Sequence, residues 1–99
     1  NLDVLKEINA RVAIPLVLHG GSETPLDEIH RVIDNGIAKI NIFTEFARAY
    51  LEGVVELSQS PRIDYLDIAS YGKDRAATII EQKLTQFRTS GQYAPVVKA

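Results

Sequence analysis

Leu16-Val17-Leu18-His19-Gly20-Gly21-Ser22 is an apolar run that ends abruptly in an imidazole and then a glycine pair. Following Pro15, it predicts a strand buried on both faces, the kind found in parallel sheets, with its chemistry at the carboxyl end. Glycines let a backbone come close to a ligand, so the expected order is strand, reactive group, anion loop.

Working outward, Leu2 to Arg11 places Leu2, Leu5 and Ile8 at helical spacing, with Asp3, Lys6 and Glu7 on the wet side. Beyond the Gly-Gly-Ser turn, Thr24 is a candidate helix cap. Pro25 would take the first helical position, with Asp27 and Glu28 in a first turn where acids suit the dipole. Leu26, Ile29, Val32 and Ile33 form the expected buried stripe, and Asn35-Gly36 ends that helix. A second strand is expected over Ile37 to Phe43. A third helix then opens at Thr44, with Phe46, Ala47, Tyr50, Leu51, Val54 and Leu57 on one face, and decays into Ser58-Gln59-Ser60-Pro61. Arg62 to Ser70 reads as a connecting loop or short turn. The last helix is expected from about Tyr71 to Arg88, with Ala76, Ile80, Leu84 and Phe87 aligned and Gly91 closing it; Gln92 to Ala99 reads as a tail.

The chain has 99 residues, enough for one small domain, with 45% hydrophobic and 24% charged residues, which is ordinary for a globular protein. A formal net charge of −2 gives no reason to expect a nucleic acid or an anionic membrane as partner. No apolar run approaches the roughly 20 residues of a membrane span, and Asn1-Leu2-Asp3-Val4 lacks the layout of a signal peptide. The absence of cysteine excludes disulfides and thiolate metal sites and leans towards a cytoplasmic location. Opening on Asn1 with no methionine, the chain is expected to be a fragment or a processed product.

The element order is an α/β alternation with only two strands, and two parallel strands do not make a sheet that stands alone in water. One explanation is that residues 1–99 are the carboxyl-terminal fragment of a single (β/α)8 barrel domain. They would form its closing quarter, two βα units plus a terminal helix, of a fold that usually takes about 250 residues. The other is a small α/β domain with an unusual sheet.

Each loop carries two readings. His19, at a strand's carboxyl end, is placed as a metal ligand or an acid/base, or else as a hydrogen-bonded loop residue; one histidine makes no zinc site, and His30 reads as a partly exposed surface or packing residue. Gly20, Gly21 and Ser22 offer amides and a hydroxyl to an anion ahead of a helix, or form a tight turn. In the second strand Lys39, Asn41 and Phe43 share one face and Ile40 and Ile42 the other. An amide pointing away from two isoleucines suits a polar interior and can hydrogen-bond a substrate hydroxyl or carbonyl. Lys39, about 6–7 Å further down that face, suits an ion pair with a buried acid better than catalysis. Thr44 either caps the third helix or presents its hydroxyl and amide to the same phosphate as Ser22.

These residues carry a resemblance. Ile14-Pro15-Leu16-Val17-Leu18-His19-Gly20-Gly21-Ser22 and Gly36-Ile37-Ala38-Lys39-Ile40-Asn41-Ile42-Phe43-Thr44-Glu45 resemble the carboxyl-terminal part of class II fructose-bisphosphate and tagatose-bisphosphate aldolases, ketose-bisphosphate enzymes of carbohydrate metabolism and glycolysis. The similarity runs from about Leu2 to Gly91, including the Phe87 to Gly91 stretch. The resemblance implies a metal-dependent lyase that cleaves or condenses a ketose phosphate, giving dihydroxyacetone phosphate and an aldehyde. It implies zinc or another divalent cation, a monovalent cation beside it, and no lysine Schiff base. At the matching positions it implies His19 as one metal ligand. Gly20, Gly21 and Ser22 would lie on one side of the phosphate and ketone, with Asn41, Ile42, Phe43 and Thr44 on the other. The proton-transfer acid, the other ligands and a further glycine-rich loop would lie upstream, so no catalytic residue is expected within this chain and the chain alone is expected to be inactive. A homo-oligomer of the full-length protein is implied as well.

Two positions depart from the family pattern. Ser22 is followed by Glu23 where many members have glycine, and Phe43 stands where Asp or Asn is usual. Both bear on substrate choice and neither on the metal ligand. Two alternatives stay open: a noncatalytic barrel subunit, and a metal-free phosphate-binding barrel enzyme such as an isomerase or synthase.

Overall fold

A computed structural model of the chain describes residues 1–61 and 64–92. They form helix α1 (Leu2–Arg11), strand β1 (Leu16–Leu18), a 3-10 turn (Gly21–Glu23), α2 (Leu26–Asp34), β2 (Ile37–Ile40), α3 (Thr44–Ser58) and α4 (Tyr65–Gln86). The result is a mixed α/β, mostly helical fold with a two-stranded parallel sheet. Two compact units divide it, residues 1–44 and the part from Glu45 onward.

In the first unit, α1 starts where Asn1 Oδ1 accepts from the Asp3 amide at 3.0 Å, a side-chain cap that satisfies an orphan donor. α1 packs on α2 and α2 on β2. The expected stripe of α2 is centred on Ile29, which is fully buried, while Val32 and Ile33 are half-buried and Leu26 is exposed. Thr24 is not the cap of α2. Its hydroxyl donates to the Gly20 carbonyl at 3.1 Å, closing the 3-10 turn, and the carbonyl of Pro25 accepts from Ile29 to open the helix.

β1 and β2 pair in parallel, Leu16 with Ile37, Val17 with Lys39 and Leu18 with Ile40. The register slips by one between Leu16 and Val17, and Ala38 is the extra residue on the β2 side. Within this chain the apolar strand is only partly buried. Leu16 and Leu18 are half-buried while Val17 is 43% exposed, as a helix covering only one face of a two-stranded sheet requires. Regular pairing in β2 stops at Ile40 rather than Phe43, and among the described residues Lys39 is exposed and has no ion pair.

In the second unit α3 and α4 run antiparallel and meet where glycines face each other. A Cβ on Gly53 would lie 3.3 Å from the Gly72 Cα, and one on Gly72 would lie 3.0 Å from Tyr50 Cε2. The buried line of α3 is therefore Ala49 and Gly53; Leu51, expected inside, is 62% exposed. α4 begins at Tyr65, six residues before the expected start, because Asp64 caps it by accepting from the Asp67 amide at 2.9 Å. The expected connecting loop thus becomes the first turns of α4, with residues 62 and 63 outside the described set. At the other end Arg88, at φ 58, takes the left-handed position that ends the helix, with amides of Arg88 and Thr89 donating to the Thr85 and Leu84 carbonyls. Gly91 lies beyond this closure, and of the expected tail only Gln92 is described. No helix among the described residues is long and apolar enough to cross a membrane.

Candidate active site

The two strand ends place the candidate polar groups side by side, all within residues 1–44. Past Leu18 and Ile40 the slipped register brings His19 opposite Asn41, and the Asn41 amide donates to the Leu18 carbonyl at 2.9 Å as a parallel ladder requires. In-register neighbours of a parallel pair point to the same face, so the two side chains meet, with Asn41 Nδ2 and His19 Nδ1 3.2 Å apart. Without the slip, with Ala38 paired to Val17, Ile40 would stand beside the imidazole.

That contact ties the amide rotamer to the imidazole tautomer. With the amide nitrogen facing the ring, Nδ1 accepts and Nε2 carries the proton. Ligation of a cation through Nε2 requires a proton on Nδ1 and the Asn41 carbonyl oxygen turned towards it.

Beyond His19 the chain leaves the ladder. Gly20, at φ 74, is in the left-handed region that favours glycine, and the turn delivers the Gly21 amide to the Asn41 carbonyl at 3.2 Å. Gly21 is buried against β2, where a Cβ would collide with Ile40 Cγ2 and lie 3.2 Å from the Asn41 carbonyl oxygen. The role of Gly21 is thus to let two strand ends approach. Ser22 Oγ accepts from the Phe43 amide at 3.2 Å, tying the two loops together and leaving the hydroxyl proton of Ser22 to donate elsewhere.

Two amides that the sequence offers to an anion, those of Gly21 and Phe43, are therefore engaged within the protein. The first amides of α3, beginning with Thr44, have no acceptor inside the helix. Ile42 is half-buried, whereas the Phe43 side chain is 69% exposed, and Glu23 is exposed with no ion pair among the described residues. His30 is half-buried within α2.

As a donor, a strand-end imidazole suits a divalent cation, but one donor is not a site. Among the described residues no three His, Asp or Glu side chains come together. The imidazole by itself could supply one of the three or four protein donors that a zinc site takes.

Two features escaped the sequence reading. Ala38 sets the register, and nothing in its identity marks a bulge. Lys83, 2.8 Å from Glu45, stands 38 positions away on a helix whose apolar face alone attracts attention.

A parallel strand pair with an imidazole, an amide, a hydroxyl and glycines gathered at its carboxyl ends is the arrangement of a mixed α/β fold with its polar groups at the strand ends. The family model of class-II fructose-bisphosphate aldolase matches residues 1–92, and the chain belongs to that family. It is 40% identical over 96 residues to a fructose-bisphosphate aldolase of Ureaplasma parvum, covering 90% of this chain and 33% of the relative. It is 36% identical over 90 residues to a 6-phospho-5-dehydro-2-deoxy-D-gluconate aldolase of Halalkalibacterium halodurans, covering 89% of this chain and 31% of that protein. Among solved structures it is similar to the YdjI aldolase of Escherichia coli K12, with a TM-score of 0.85 and 32% identity over 95% of this chain and 36% of that one. The chain spans about a third of the length of the relatives it matches.

Proposed function

We propose that this chain is the closing quarter of the (β/α)8 barrel of a metal-dependent aldolase that cleaves or condenses a ketose phosphate to dihydroxyacetone phosphate and an aldehyde. The observation that carries this reading is the pairing of His19 with Asn41 at adjacent strand ends, beside a glycine loop tied through Ser22 to Phe43. His19 would be one ligand of the divalent ion, zinc in the general case of class II enzymes, with the remaining ligands supplied upstream. That ion, when bound, supplies polarisation of the substrate ketone.

The chain's own residues do the rest of the holding. Asn41 hydrogen-bonds the ketone half of the substrate, and the Gly20-Gly21-Ser22 turn faces its phosphate. Ser22 donates its hydroxyl proton, Gly21 allows the close approach, and Thr44 offers hydroxyl and amide at the positive end of α3. Ile42 and Phe43 line the side opposite the glycine loop. The proton-transfer acid lies outside the chain. A monovalent cation beside the phosphate, a homo-oligomer and a cytoplasmic location belong to the same proposal.

Metal content and chelator-sensitive cleavage of fructose and tagatose bisphosphates by the full-length protein test it, with His19→Ala alongside. The expected result is about one divalent ion per chain, lost in His19→Ala together with cleavage, whose rate falls by about three orders of magnitude or more. A protein that folds and binds phosphate without metal would overturn the reading.

A further inference from the structure

Glu45 is peptide-bonded to Thr44 in the first turn of α3, and an acid there competes with any anion for the same positive helix end. Its carboxylate is committed elsewhere: Lys83 Nζ, from the last turn of α4, donates to Glu45 Oε1 at 2.8 Å. With side chains 14% and 32% exposed, this is the most enclosed ion pair among the described residues; the Arg75–Glu56 pair is 40% and 59% exposed. Lys83 is held from a second side by the Phe87 ring, whose centroid lies 5.7 Å from Nζ. Phe87 in turn sits at the cap that the left-handed Arg88 closes. So placed, the ammonium has little freedom to leave Glu45 for solvent.

From this geometry we infer that Lys83 is a positioning residue for phosphate binding, neutralising Glu45 and holding its carboxylate so that the start of α3 stays open to a dianion. The inference rests on the phosphate reading of the Ser22 and Thr44 loops given above. Lys83 itself touches no substrate in this assignment; it acts through Glu45.

The test is binding of inorganic phosphate to the full-length protein by calorimetry. Lys83→Gln leaves Glu45 uncompensated and weakens phosphate about tenfold, the order expected of one unpaired charge near a dianion. Lys83→Gln combined with Glu45→Gln removes the repulsion and returns binding to within about twofold of wild type, and Lys83→Arg, which keeps the charge, does the same. A purely structural pair shifts the unfolding midpoint of Lys83→Gln and leaves the phosphate affinity of the folded protein unchanged. Lys83→Gln binding at the wild-type level, or a double variant that stays weak, overturns the inference. If Lys83→Gln fails to fold, Glu45→Gln decides alone: phosphate bound at least as tightly as in wild type supports the inference, and weakened binding overturns it. A wild-type protein that binds no phosphate overturns the phosphate reading itself, which none of the variant comparisons does.

Discussion

Small residues do different work in the two units. In residues 1–44, Gly20 and Gly21 bring two strand ends together, one by turning the chain at φ 74 and the other by making room against Ile40. From Glu45 onward, Gly53 and Gly72 bring helix to helix, and Tyr50 fills the space above Gly72. Beside that crossing, Phe46, Tyr50, Leu51 and Ile80 line an apolar groove of about 500 Å³, with none of the polar groups that gather at the strand ends. The contrast teaches that glycine at the strand ends serves a turn and a close approach of backbone to backbone, while glycine in the helices serves the packing of helix on helix.

Substitution by alanine separates these uses in the full-length protein. Gly21→Ala has the largest expected effect. Its Cβ meets the stiff, branched Ile40 side chain and the Asn41 carbonyl, so unfolding in urea shows a loss of about 1–3 kcal/mol and phosphate binding falls with it. Gly20→Ala meets no atom within 4 Å, and only its left-handed backbone resists, so about 1 kcal/mol is lost. Gly72→Ala presses on the Tyr50 ring at 3.0–3.2 Å but gains helix propensity, leaving a net loss below about 1 kcal/mol and phosphate affinity unchanged. A fall in phosphate affinity in Gly72→Ala would erase the distinction between the two uses.

The smallest effect is expected at the helix surface. Tyr71 donates to Glu56 Oε1 and Arg75 to Glu56 Oε2, and hydrogen bonding with Tyr71, followed by the Glu56 charge, raises the Arg75 guanidinium above its ordinary value. The pair is exposed, however, and Glu56→Gln is expected to leave the unfolding midpoint unchanged within error. A clear shift would mean that the helical unit depends on its surface charges as much as on its glycines.

Local signals were legible where local physics decided. α1 ends at Arg11 and α3 begins at Thr44 as their periodicity requires, and Ile29 falls at the centre of a stripe readable from four residues. His19, Ser22 and Asn41 could be picked out because polar groups beside apolar runs and glycines are unusual. The start of α4 was hidden because its cap, Asp64, precedes a stretch without a clean apolar face. Arg88 ends that helix although Gly91 is the residue whose chemistry suggests it. Pairing across sequence was hidden for a different reason. Whether Asn41 or Ile40 faces His19 depends on a slip between strands, and the contact of Lys83 with Glu45 on how two helices cross.

That slip has a consequence for heredity. Because Ala38 shifts the count by one, the partner of the imidazole is chosen by position along the strand and not by the letters of the motif. Pairing without that slip, with Leu16 still opposite Ile37, would set Val17 against Ala38 and Leu18 against Lys39 and seat Ile40 beside His19 while every functional letter survived in the gene. A change that straightens the two strands against each other would therefore undo this pairing without touching the motif, and a comparison of motifs would pass over it.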